Sequence, residues 1–329
     1  MRPLLLAADI GGTKANLALF REVSGRLVSV REAAVRSAGF PSAAALLGGF
    51  LRDAAGSVGA ACLGIAGPVR DGRAMTPNLP WGVAAEEIGA ALGLPAVTLV
   101  NDLVATALGI AELPPEGLEV LQEGKPDPTG NAALIAAGTG LGEALLVRSG
   151  EALVPVASEG GHASFAPTSD LEIALLRFLS AELGAVSAER VVSGPGLRNV
   201  YRFLTAAGRV SETPRVRARM ESEDPSSVIS GEALQGTDEP CARALDLWLR
   251  AYGAEAGNLA LKALATAGVY VGGGIAPKVL PKLREGGFLE AFRAKGRLSG
   301  LLAEVPVRVI LDPKTALYGA ARCAARALP

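Results

Sequence analysis

Leu4-Leu5-Leu6-Ala7-Ala8-Asp9-Ile10-Gly11-Gly12-Thr13-Lys14-Ala15-Asn16-Leu17-Ala18-Leu19-Phe20 sets a glycine turn between two apolar runs. An apolar run of this length stopped by glycine reads as a buried strand, so the segment is strand, tight turn, strand. The arrangement returns at Ala132-Ala133-Leu134-Ile135-Ala136-Ala137-Gly138-Thr139-Gly140-Leu141-Gly142-Glu143-Ala144-Leu145-Leu146-Val147. Glycine lets the backbone turn sharply and present N–H groups to an anion, and Thr13 and Thr139 each add a hydroxyl donor. A single Gly-Gly turn also serves an ordinary hairpin. Two copies point to a polyphosphate held between two related halves, and so to a nucleotide-dependent phosphotransferase. Neither copy is a Walker A loop: Gly, four residues, Gly-Lys-Ser/Thr is missing, and a strand follows instead of a helix. Asp9, at the end of its strand, can hold Mg²⁺ through water, because Mg²⁺ prefers oxygen ligands and keeps several waters.

Outward from these hairpins the pattern is α/β, with strands and helices alternating through two halves. Residues 3–8 and 15–20 are the first two strands, and 28–34 can pair beside them. Further strands are expected at 60–65, 96–100, 269–271 and 305–311. Helices are expected at 42–57, 84–92, 103–110, 170–183, near 195–204, 242–265 and 314–327. Residues 113–130 are rich in Pro and Gly and suit a domain crossing. Residues 209–240 are polar and weakly patterned, which suggests loop and short helix. Pro277 is expected in the first turn of the helix after Gly272-Gly273-Gly274.

The chain has 329 residues, enough for two ordinary domains, and half of them are hydrophobic. A net charge of −1 gives no general attraction to nucleic acid. No apolar stretch approaches the length of a membrane span. Cys62, Cys241 and Cys323 are odd in number and far apart, offering neither a disulfide framework nor a zinc spacing. That usage fits a reduced, cytoplasmic protein.

Several polar residues can carry chemistry. Asn101-Asp102 follow a buried strand and precede a helix, at the sheet edge where open α/β folds bind ligands. Asp102 can accept a proton from a substrate hydroxyl. Either residue can equally cap the helix, and the two roles are compatible. His162, the one histidine, lies in Glu159-Gly160-Gly161-His162. A lone histidine is often structural, but in a Gly-rich turn beside a glutamate it suits a ligand contact. No Cys-rich run follows it, so zinc is not implied. Glu189 adds a carboxylate, or simply starts a solvated helix. The loop from Met75 to Trp81 could lie over a sugar or pack on the surface. Gly272-Gly273-Gly274 ends a strand and lets a base or phosphate approach the backbone.

Together these segments resemble the zinc-free bacterial glucokinases of the hexokinase-like, actin-type ATPase superfamily. The resemblance rests on Asp9–Ala18, Gly64-Ile65-Ala66-Gly67-Pro68-Val69, Thr76–Trp81, Val100–Leu103, Ala137–Gly142, Ser158–His162, Ser187–Leu197 and Gly273–Pro277, in family order. It implies a two-lobed actin-like ATPase fold (ribonuclease H-like) with the active site in the inter-domain cleft. It also implies ATP- and Mg²⁺-dependent phosphorylation of glucose at O6, giving glucose 6-phosphate and ADP. Asp102 matches the catalytic base. Asn101, Glu159, His162 and Glu189 match sugar-hydroxyl contacts, and Asn78 lies in the matching sugar loop. Asp9, Gly11, Gly12, Thr13 and Lys14 match the first phosphate hairpin, Gly138, Thr139 and Gly140 the second, and Gly273 and Gly274 the nucleotide-side turn. The implied small domain is 1–112 with 313–329, enclosing a large domain at 113–312, and a homodimer is implied. Ala137 stands where the motif has a further glycine, which is tolerable if that position needs no positive φ.

Two other readings are compatible with these residues. One is a kinase for mannose, fructose or an N-acetylated amino sugar. The other is a sugar-sensing regulator without catalysis. Such regulators usually carry an N-terminal helix-turn-helix, and a first strand at residue 4 leaves no room for one.

Overall fold

The structure is a computed structural model that describes residues 3–52, 54, 57–75 and 79–328. In chain order its elements begin with β1 (Leu4–Ile10), β2 (Lys14–Val23), β3 (Arg26–Arg36), α1 (Ala43–Leu51), β4 (Val58–Ile65), β5 (Val69–Arg70), β6 (Arg73–Met75) and β7 (Gly82–Ala84). Then come α2 (Ala85–Leu92), β8 (Val97–Asn101), α3 (Asp102–Gly109), β9 (Leu118–Gln122), β10 (Ala132–Ala137), β11 (Leu141–Ser149) and β12 (Ala152–Ser158). Helices α4 (Asp170–Leu183), α5 (Gly194–Ala206), α6 (Pro214–Ser222), α7 (Pro225–Gln235) and α8 (Glu239–Ala263) follow. The chain ends through β13 (Gly268–Gly272), α9 (Leu280–Arg284), α10 (Gly287–Arg293), α11 (Ser299–Glu304), β14 (Val307–Ile310) and α12 (Thr315–Arg326). It divides into two compact units: Met1–Gly117 with Val154–Ala157 and Asp312–Pro329, and Leu118–Leu153 with Ser158–Leu311.

The first unit is built on a sheet ordered β3-β2-β1-β4-β8. β2 pairs antiparallel with β1 and β3, while β4 and β8 add in parallel. A strand covered on both faces needs no polar alternation, which is why β1 is apolar up to Asp9. Its side chains still alternate with the pleat. Leu4, Leu6, Ala8 and Ile10 join Leu46, Leu47 and Phe50 of α1, and Leu5 and Ala7 join Leu317, Ala320 and Ala321 of α12.

The second unit holds a sheet ordered β12-β11-β10-β13-β14-β9. β10 pairs antiparallel with β11 and parallel with β13, and β14 adds parallel to β13. The sequence β12-β11-β10-β13-β14 therefore repeats β3-β2-β1-β4-β8 strand for strand. The two Gly-Thr segments occupy the same place in each sheet, between a central strand and its antiparallel neighbour. The long helix α8 packs Trp248, Tyr252, Ala256 and Leu259 into the core with Ile135, Ala137 and Val271.

Several elements differ from expectation. The helix after Ser42 stops at Leu51, where the Ala54 N–H bonds the Leu51 carbonyl at 2.7 Å and tightens the chain out of α-geometry. Residues 113–130 contain β9, an antiparallel edge strand. Residues 209–240 do hold loop and short helix as expected, the helices being α6 and α7, each opened by a capping side chain (Thr213, Asp224) and a proline in the first turn. Pro277 is not in a helical first turn: residues 273–279 are turns, and Pro281 takes that place in α9. Among the described residues no helix is long and apolar enough to cross a membrane.

Candidate active site

In the first unit β1 delivers Asp9 to the rim of the sheet. The Asn16 amide donates to Asp9 Oδ2 at 3.3 Å. Burial pushes the Asp9 carboxyl up, against the Asn16 hydrogen bond and the Lys14 charge, which pull it down. The turn that follows is closed by Gly11 N–H on the Lys14 carbonyl at 3.0 Å. Ser37, fully buried, braces it from beneath: its hydroxyl donates to the Gly11 carbonyl at 2.7 Å and its N–H to the Thr13 carbonyl at 3.2 Å. With two carbonyls held by Ser37, the exposed tip at Thr13 and Lys14 faces solvent.

Two strands away in the same sheet, at the end of β8, Asn101 caps α3. Its Oδ1 accepts from Leu103 N–H at 2.9 Å and Val104 N–H at 3.4 Å, and its Nδ2 donates to the Gly67 carbonyl at 3.1 Å. Asn101 thus takes the capping role, and Asp102 opens the helix with its Oδ1 3.0 Å from Leu103 N. Gly64 of β4 lets α3 sit close: a Cβ there would lie 3.0 Å from Ala105 Cβ. Trp81 packs into the core, and its Nε1 donates to the Phe40 carbonyl at 2.8 Å, so it does not stack on a ligand. Asn78 lies outside the described residues.

In the second unit the residues singled out from the sequence converge on the start of β11. Glu189 sits in a 3-10 turn, half-buried, and its Oε2 accepts from Leu141 N–H at 2.9 Å. It is therefore tied to the Gly138–Gly140 turn and is not a solvated helix start. Gly140 must be glycine for that contact, since a Cβ would fall 2.5 Å from the same oxygen. The Glu159–His162 turn lies against the same strand, where a Cβ on Gly161 would meet the Leu141 carbonyl at 1.9 Å. Glu159 and His162 stay exposed, with His162 Nε2 3.9 Å from Glu159 Oε2. Thr139 is exposed at the turn between β10 and β11. Gly273 has φ +84° and passes so near the Ala137 carbonyl that a Cβ would be 2.3 Å away, with Gly274 exposed beside it. Ala137 itself ends β10 with no positive φ, so the departure from glycine there is harmless.

Two Gly-Thr turns on twin sheets, a capped strand-end carboxylate and a second carboxylate bonded to one of the turns agree with the comparison to known proteins. A glucokinase family model matches residues 6–327. The chain belongs to the glucokinase family. It is 42% identical to the glucokinase of Nostoc sp., over 98% of this chain and 99% of that one. It is 41% identical to the glucokinase of Synechocystis sp., over 98% of each. It is also similar to the crystal structure of a glucokinase from an Antarctic psychrotroph, with a TM-score of 0.85 and 32% identity across 99% of this chain and 100% of that one. Its fold is accordingly the two-domain actin-like ATPase fold of glucokinases.

Ser37, Glu143 and Tyr252 are residues that sequence reasoning missed in this glucokinase-family chain. Glu143 on β11 is 1% exposed, and its Oε1 has no hydrogen-bond partner among the described residues. It lies under the Glu159–His162 turn: a Cβ on Gly160 would be 2.0 Å from its Oε2. Burial, and then Glu255, push its carboxyl up from 4.5 to about 7, while Lys262 pulls it down. The folded protein therefore holds this proton more tightly than the unfolded chain. From about pH 4.5 to 7 the unfolded chain has released it and the folded one has not, so stability falls as pH rises. The cost above that window is about 3 kcal/mol, at roughly 1.4 kcal/mol per pH unit. Glu143→Gln is expected to stabilise by about 2–3 kcal/mol at pH 8 and far less at pH 5. Denaturant unfolding at both pH values checks this, and equal shifts at the two would refute it.

Proposed function

We propose that this protein transfers the γ-phosphoryl group of ATP to O6 of glucose, releasing glucose 6-phosphate and ADP. The observation that carries the reading is the doubled sheet with a Gly-Thr turn at the same place in each half, in a chain of the glucokinase family. Phosphoryl transfer needs positioning and charge stabilisation more than covalent help. The backbone at Gly11–Thr13 and Gly138–Gly140, with the Thr13 and Thr139 hydroxyls and Lys14, supplies donors for the phosphates. Gly273 and Gly274 leave room for the nucleotide against the backbone. Asp102 accepts the proton of the attacking O6 hydroxyl, and Asn101 holds the helix that carries it. Glu159, His162 and Glu189 bond the remaining sugar hydroxyls, and Asn78 is assigned to the same set.

Mg²⁺ is the expected companion of ATP, and Asp9 suits it. A half-buried carboxyl pushed up by desolvation is relieved by a cation. Among the described residues no three acidic, His or Cys side chains gather to hold a metal directly. That suits an ion bound by phosphates and waters with one protein carboxylate. When bound it neutralises charge on the β- and γ-phosphates.

A coupled assay with MgATP and a panel of hexoses tests the reading. The expected result is the highest kcat/KM for glucose. Preference for mannose, fructose or an N-acetylated amino sugar would move the assignment to that sugar. Glucose binding without glucose 6-phosphate would leave a sugar sensor. The family resemblance further supports a cytoplasmic homodimer, which light scattering would report as twice the 33.4 kDa chain mass.

A further inference from the structure

We infer that Tyr252 is a positioning residue for the nucleotide, because its one hydroxyl ties together the ends of the two strands that open into the Gly138–Gly140 and Gly273–Gly274 turns. The phenol oxygen accepts from Ala137 N–H at 3.3 Å, and its proton is shared between the carbonyls of Ile135 at 3.3 Å and Gly272 at 3.4 Å. Ala136 and Gly272 are the last residues that β10 and β13 pair with one another. Beyond them the β10–β13 ladder ends, β13 enters its turn at once and β10 enters its own after Ala137, so the phenol cross-links the two strands where their ladder no longer does. The two turns also share the Ala137 peptide: Gly273 passes against its carbonyl, and Ile275 N–H donates to it at 3.3 Å. A shift of Ala137 therefore moves both turns at once.

Tyr252 can hold this position because it cannot move. It is fully buried, with its ring 5.1 Å from that of Trp248 and edge-on to Phe288 at 5.4 Å. Burial, which outweighs the Ala137 hydrogen bond, keeps the hydroxyl protonated and so able to donate. The inference rests on the reading of both turns as the nucleotide side.

Tyr252→Phe removes the hydroxyl and keeps the ring. KM for ATP and the Kd for ADP, the latter by calorimetry, are expected to rise about three- to tenfold, the equivalent of one lost buried hydrogen bond. KM for glucose should stay within about twofold, a smaller change than that of any lost hydrogen bond. Unchanged ATP and ADP values, or a glucose KM that rises in step, would overturn the inference. Tyr201→Phe is the control, since Tyr201 is 2% exposed in the same core and its hydroxyl is unpartnered among the described residues. If it reproduces the ATP effect, general loosening is the cause and the inference falls. Tyr252→Met keeps apolar bulk and replaces the Phe variant if circular dichroism shows that variant unfolded. A parent protein that neither binds ADP nor phosphorylates glucose would overturn the proposed function itself, a result separable from a silent Tyr252→Phe.

Discussion

Asp102→Asn is expected to lower kcat for glucose phosphorylation by at least about 10²–10⁴-fold, the usual contribution of a positioned general base. The change is nearly isosteric. The amide oxygen can still accept from Leu103 N–H, as Asp102 Oδ1 does at 3.0 Å. The helix does not depend on Asp102 for its cap, because Asn101 bonds Leu103 N–H and Val104 N–H. What the amide loses is the capacity to take the proton of the attacking hydroxyl. Binding should survive, so the glucose Kd should change by less than about tenfold, the scale of one hydrogen bond. Steady-state kinetics with glucose titration calorimetry separate the two quantities. A near-normal kcat would remove Asp102 from the role of base. Asp102→Ala should lose the same activity and slightly more stability.

The second large effect is structural. Gly319→Ala is expected to destabilise by about 3–5 kcal/mol, above the roughly 1–3 kcal/mol usual for overpacking because the clash is with backbone and no side chain can yield. A Cβ at Gly319 would lie 1.7 Å from the Ala105 carbonyl oxygen and 2.6 Å from the Gly109 nitrogen. Across the same crossing, a Cβ at Gly109 would lie 1.8 Å from the Thr315 carbonyl oxygen. Helices α3 and α12 thus meet backbone to backbone, and a methyl group there must push them apart. Separation also opens the core in which Ala320, Ala321 and Ala324 of α12 pack on Leu5 and Ala7 of β1. At roughly 2–4 °C per kcal/mol for a unit of this size, Tm should fall by about 6–20 °C. Turnover should drop as well, since α3 carries Asp102 at its first turn. Gly231→Ala is the matched comparison: Gly231 lies within α7, a methyl group added there would meet nothing within 4 Å, and alanine is the better helix former. Its Tm should hold or rise slightly. Equal Tm losses in the two variants would refute the account.

Most of the fold was legible because its central strands are buried on both faces. β1 and β10 read as unbroken apolar runs, and α4 and α8 as long helical stretches. The elements that were missed are those for which burial writes little. β12 is a sheet-edge strand with exposed Val154 and Val156 and an internal Pro155. Helices α6 and α7 were expected only as short helix within 209–240; polar sequence hid their bounds, although Thr213-Pro214 and Asp224-Pro225 do carry the cap-then-proline signal.

The two Gly-Thr turns, Asn101-Asp102 and the Gly-rich turn at His162 were visible because each is a local departure from apolar patterning. The sequence by itself thus determined the strand order within each hairpin, the duplicated halves and the chemical groups at the strand ends. Tertiary structure decided what holds those groups in place. Ser37 reaches Gly11 from 26 residues away, Glu189 reaches Leu141 from 48, and Tyr252 reaches Ala137 from 115. Local pattern cannot show such contacts, because a hydroxyl or carboxylate has the same sequence signature whether it faces water or a peptide group in the core. Only the folded chain, in which buried backbone donors and acceptors must find partners, says which of these polar side chains supply them.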